Sequence, residues 1–192
     1  MDVRRLTLLF GGVAIVVAVA MSGWSLMRAG WGGREVGGAF SLVDHQGRET
    51  RPADFRGRHM LVFFGYTSCP DVCPSQLLVV SEALDQLGEA AAGIQPVFIT
   101  VDPERDTPEV LADYRRHFHA SLVALTGSPA EVAKAARAYR VRFAKTPGDD
   151  GDDYLMDHTS LVFLMDPSGR YVKNFGPEVG PEEMAAGLRE AL

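Results

Sequence analysis

The chain has 192 residues, 46% hydrophobic and 23% charged, with a formal net charge of −6. That length suits one domain plus an appendage, and the balance of residue types excludes a disordered chain. No Lys/Arg cluster lies in the body of the sequence, which excludes a nucleic-acid binder, because phosphate recognition needs a basic face. The two cysteines, Cys69 and Cys73, are too few for a disulfide scaffold and close enough to share one local task, metal or redox.

Residues 6–27 carry no charge, and a helix of that length spans about 33 Å, enough for a bilayer core. Arg4 and Arg5 precede it, and Trp24 and Trp31 sit near its far end. The expectation is a single transmembrane anchor over 1–28, with the N-terminus cytoplasmic and the rest of the chain outside. A cleaved signal peptide is the rival, but the apolar run is longer than such a core, and Trp24, Leu26 and Met27 interrupt any small-x-small site. Either way the domain is exported. Residues 29–38, with glycines at 30, 32, 33, 37 and 38, form a flexible linker, leaving 39–192 as the domain.

Residues 40–43 and 49–50, around a turn at His45-Gln46-Gly47, predict a short hairpin. The apolar run 60–64 predicts a buried strand. Residues 74–89 predict a helix with an apolar stripe from Leu77 to Leu87, and 95–101 another strand. Thr107-Pro108 and Ser128-Pro129 are N-cap and first-position signals, opening helices to about 118 and 139, with a short strand between them. The acidic stretch around Asp149, Asp150, Asp152 and Asp153 reads as a solvated loop. Residues 160–165 and 171–175 predict a closing hairpin around Asp166-Pro167-Ser168-Gly169, and 181–192 a final helix. Two buried strands joined by a helix, followed by an antiparallel hairpin, make an α/β three-layer sandwich of thioredoxin-like pattern, with an N-terminal β-hairpin.

Cys69 and Cys73 follow the 60–64 strand, where open α/β sheets bind ligands. Each precedes a proline, so they do not lie at i, i+4 on one continuous helix. Cys73 is placed near the N-cap with Pro74 at the first helical position, where the helix dipole favours a thiolate. Three residues separate the pair, which permits a disulfide without assuring one. Two soft thiolates on a short loop also suit Cu(I) or Zn.

Of five histidines, His45, His59, His117 and His119 read as surface or boundary residues. His158 lies just before the 160–165 strand. In a thioredoxin-like domain that position usually holds a proline facing the cysteine loop; here Asp157-His158-Thr159 stands there, which would bring an imidazole up to the thiols. A surface-loop histidine is the bland alternative. Met156 and Met165 read as core methionines rather than soft ligands.

With FFGYTSCPDVCP at 63–74, VDPERDTPE at 101–109 and YLMDHTSLVFLMDPSGR at 154–170, the chain resembles the Sco/SenC family of copper proteins over about residues 38–190. The resemblance implies Cys69, Cys73 and His158 as ligands of copper, as Cu(I) or Cu(II). It implies a metallochaperone that delivers copper to, or prepares, the binuclear copper centre of cytochrome c oxidase subunit II. It also marks Asp71, Asp102 and Asp157 as residues behind the ligands or at a partner's surface, although Asp102 to Asp106 also reads as an ordinary helix-start loop. Since a disulfide offers no thiolates, loading outside the inner membrane calls for a thioredoxin-like thiol reductase as a second partner. The other class open to this motif is a thiol–disulfide oxidoreductase acting on the acceptor's cysteines, or a redox or copper sensor.

Overall fold

The computed structural model describes residues 36–147 and 154–192. The first hairpin is β1 (Leu42–Asp44) and β2 (Glu49–Thr50), paired with Leu42 opposite Thr50. β3 (His59–Gly65) leads through α1 (Val72–Leu87) to β4 (Ile94–Thr100), and α2 (Pro108–Tyr114) leads on to β5 (Val123–Thr126). After α3 (Pro129–Ala138) come β6 (Phe143–Pro147) and β7 (Tyr154–His158), then β8 (Val162–Met165), β9 (Tyr171–Phe175) and α4 (Pro181–Arg189).

Among the described residues the main sheet runs β2-β1-β5-β4-β3-β8-β9. β3, β4 and β5 are parallel, and β1, β8 and β9 add antiparallel strands at the flanks. The parallel centre explains the sequence pattern. β4 is buried along its whole length and β3 from Met60 onward, so these strands read as continuous apolar runs rather than alternating ones. Phe63 stacks on Phe98, and Tyr114 from α2 lies against Phe98 on that face. Phe64 points to the other face and meets Tyr139, just past α3. Helices therefore cover both faces, and α4 packs beside α1. This is the thioredoxin-like α/β architecture expected from the sequence.

The cap signals act as expected: Thr107 accepts from the Val110 N–H, and Ser128 forms a capping box with Glu131. Two local readings need correction. α1 starts at Val72, not Pro74, so Cys73 and Pro74 both lie in its first turn. The first N–H groups of a helix have no intrahelical partner, so a proline is tolerated there without loss. The region read as an acidic loop is flanked by strands: β6 and β7 pair antiparallel as a two-stranded arm, Phe143 opposite His158. Neither strand is strongly apolar, so the arm leaves little trace in hydrophobic periodicity. The expected anchor over 1–28 lies outside the described residues. Among the described residues no helix is long and apolar enough to cross a membrane.

Phe64 is 0% exposed, and Phe64→Ala should cost roughly 3–5 kcal/mol in denaturant unfolding through the cavity it leaves. Leu78→Ala, at a side chain 47% exposed on α1, should cost less than about 1 kcal/mol in the same assay.

Candidate metal centre

β3 ends at Gly65, and the chain then turns through 66–71 into α1. Gly65 has a steric reason to be glycine: a Cβ there would lie 2.9 Å from Cys73 Sγ and 2.9 Å from the Phe98 ring. Cys73 fills that space and is 0% exposed, whereas Cys69 is half-buried. Both thiols are free. The Cys73 N–H donates to Cys69 Sγ at 3.4 Å, so a sulfur takes the capping role that the Asp71 side chain leaves unfilled. Burial pushes the Cys73 thiol up, and neighbouring Cys69 adds to this. This corrects the expectation that the helix dipole would make Cys73 the thiolate: desolvation outweighs the dipole at a site this deep. A bound cation would reverse the balance, because metal binding displaces the thiol proton.

His158 is the last residue of β7, not a loop residue before β8. On a strand, alternate side chains share a face, so Tyr154, Met156 and His158 point one way and Leu155 and Asp157 the other. The inward face brings His158 Nε2 to 3.3 Å from Cys73 Sγ. Nδ1 faces the Thr159 carbonyl at 3.2 Å. A carbonyl only accepts, so Nδ1 carries the proton and Nε2 keeps its lone pair. Burial lowers the His158 pKa, which favours the neutral ring a metal requires. The rings of Phe63 and Tyr66 stand edge-on to the imidazole at 6.1 and 6.0 Å.

The donor atoms of Cys69, Cys73 and His158 all lie within 4.8 Å of one another. Two donors at metal distances of about 2.0–2.3 Å are themselves separated by roughly 3.3–4 Å, so one ion fits the trio with small adjustments. Among the described residues no other trio of Cys, His, Asp or Glu side chains converges in this way, and His45, His59, His117 and His119 lie elsewhere. Met156 and Met165 are buried core residues.

The loop after β4 braces the site. Asp106 is 0% exposed and accepts from the Thr67 N–H (3.0 Å), the Thr67 hydroxyl (2.6 Å) and the Thr100 hydroxyl (2.6 Å). It therefore ties the cysteine loop to the end of β4. Asp102, 1% exposed, accepts from the Tyr154 hydroxyl at 2.8 Å and pairs with Arg105. Of the three aspartates marked by the sequence, Asp102 is the buried one, bound to Tyr154 and Arg105 rather than to any of the three donors. Asp71 and Asp157 are exposed, and Asp157 faces away from the thiols. Reading the sequence missed Thr67 and Tyr154, and took Asp106 for part of a helix start. The available signal was that Thr107 already supplies the cap, which leaves Asp106 without a local purpose.

The fold and the two-cysteine, one-histidine cluster define a thioredoxin-like domain with a soft metal site. The SCO1/SenC family model matches residues 29–192, and the chain belongs to that family. It is 43% identical over 158 residues to the mitochondrial SCO2 homolog of Homo sapiens, covering 81% of this chain and 59% of that one. The chain thus spans less than two thirds of the human protein's length. Among solved structures it is similar to Bradyrhizobium japonicum ScoI with copper bound, at 46% identity and TM-score 0.75, covering 82% of this chain and 99% of that one. Arabidopsis thaliana ScoI with copper bound matches at 38% identity and TM-score 0.77, covering 81% and 97%.

Asp106→Ala would strand the Thr67 and Thr100 donors in the interior. The expected cost is roughly 2–3 kcal/mol by denaturant unfolding, with faster amide exchange at Thr67 than elsewhere in the cysteine loop.

Proposed function

We propose that the domain binds one copper ion through Cys69, Cys73 and His158 and acts as a metallochaperone for the binuclear copper centre of cytochrome c oxidase subunit II. The observation that carries this reading is the convergence of two thiols and a correctly protonated imidazole at one point. Family membership and the copper-bound relatives support it. Copper is cargo here. An S₂N set is soft enough for Cu(I), the imidazole also suits Cu(II), and a fourth position stays open for an acceptor's ligand. Cys69 and His158 are both half-buried, so ligand exchange starts on their side while Cys73 holds the ion from below. Loading needs both thiolates, so a thioredoxin-like reductase is the second partner.

The uncharged run 6–27 behind Arg4 and Arg5 supports a single-pass anchor over 1–28 in the inner membrane, with 29–38 as linker and the domain, 39–192, facing the periplasm. Deleting residues 1–28 should release the protein from membranes on fractionation and leave its copper stoichiometry unchanged.

The decisive experiment is a copper titration of the full chain followed by absorption spectroscopy. The reduced protein should take up one equivalent. The Cys69–Cys73 disulfide form should take up none until a reductant is added; equal uptake by both forms would rule the site out. His158→Ala should retain part of its Cu(I) and lose more of its Cu(II). It should also fail to mature the oxidase copper centre in cells. Normal maturation with the intact dithiol would favour disulfide reduction as the task instead.

A further inference from the structure

The arm that delivers His158 pairs only with itself among the described residues, and an isolated two-stranded ribbon is marginally stable in water. The imidazole is therefore held no more firmly than the arm is attached. β7 offers three inward side chains. His158 is the ligand, and Met156 packs in the core, where apolar contact gives adhesion without direction.

The Met156 backbone is hydrogen-bonded to the Tyr66 side chain, which ties mid-strand to the cysteine loop. Tyr154 makes the directional side-chain contact. Its hydroxyl meets the buried Asp102 carboxylate at 2.8 Å. The Arg105 guanidinium, paired with that same carboxylate, lies 3.8 Å from the centre of the Tyr154 ring. Lys145, from β6, stands 4.4 Å from that ring and reaches Glu104 at 2.6 Å. Both strands of the arm are thus fastened to residues 102–105. Asp106, one residue further on, holds the cysteine loop through Thr67. A single loop sets the positions of both halves of the site.

We propose that Tyr154, held by Asp102 and Arg105, is a positioning residue that latches the β6–β7 arm and thereby keeps the His158 imidazole at the thiol pair. This deepens, and rests on, the copper reading above. The Tyr154 hydroxyl bears on the arm that carries the nitrogen donor, so loosening it weighs most on the oxidation state that needs the imidazole. Cu(II) depends on the imidazole, whereas Cu(I) can remain between two sulfurs.

The test uses the full chain, reduced, with Cu(II) displaced by excess EDTA and Cu(I) by bathocuproine. Tyr154→Phe keeps the ring and removes the hydroxyl. It should speed Cu(II) release about tenfold, the value of one charge-assisted hydrogen bond, while Cu(I) release stays within about twofold and the melting temperature barely moves. Arg105→Lys, which keeps the charge and loses the planar stack, should act in the same direction. In a His158→Ala background, Tyr154→Phe should add nothing. Equal acceleration in both backgrounds would make Tyr154 a merely structural residue and overturn the latch. So would unchanged Cu(II) release by Tyr154→Phe where His158→Ala alone accelerates it; the copper reading would then stand. If the wild-type protein takes up no copper, the copper reading fails, and the latch is judged on the metal-free chain by the His158 ring signals in NMR. Broadened or shifted signals in Tyr154→Phe uphold the positioning role, and unchanged signals sink it.

Discussion

The site depends on the register of two buried parallel strands. β3 and β4 pair so that Gly65 stands beside Thr100, and the Val101 N–H returns to the Gly65 carbonyl at 2.8 Å. Two loops then leave the sheet side by side. One carries the cysteines; the other carries Asp102, Arg105 and Asp106. Because they emerge as neighbours, Asp106 from the second can hold Thr67 of the first and Thr100 at the end of β4 with one buried carboxylate. Because residue 65 has no side chain, the first turn of α1 can settle onto the sheet with Cys73 Sγ in the vacant volume. Shifting the register by one residue would replace the glycine with a phenylalanine and separate the loops.

Burial makes the centre a poor place for charge and therefore a good place for a cation. Cys73 lies beneath the surface with aromatic rings around it, and desolvation holds its thiol protonated. A soft cation supplies the compensating charge that the protein withholds. Among the described hydrogen bonds and ion pairs no lysine or arginine touches the sulfurs, so the metal would be the cation that balances the thiolates.

Much of this architecture was legible beforehand, for particular reasons. The central strands announce themselves because both faces are buried, and the helix starts because Thr107-Pro108 and Ser128-Pro129 are local chemistry. Cys69 and Cys73 stood out by their place after a strand. His158 stood out by its place before β8, where a proline facing the cysteine loop is usual, and the family resemblance then implied its role as a ligand. The β6–β7 arm was not legible: its strands alternate weakly, and its contacts with the body, apolar at Met156 and polar at Tyr154 and Lys145, are distant in sequence. Tyr154 and Asp102 are 52 positions apart, and Thr67 and Asp106 are 39 apart. No periodicity connects such pairs. Only the folded chain brings them together.

The pleat of β7 carries one more consequence. His158 and its neighbour Asp157 lie on opposite faces of the strand, so the register of β7 decides which of them meets the thiols. A slip by one residue would turn the imidazole outward and offer the thiols a carboxylate. The two thiolates would remain, so the centre would still suit Cu(I) but would lose the nitrogen that suits Cu(II). The phase of the arm, fixed by an aromatic ring at one end and a thioether in the middle, thus decides whether the third donor is a nitrogen or an oxygen.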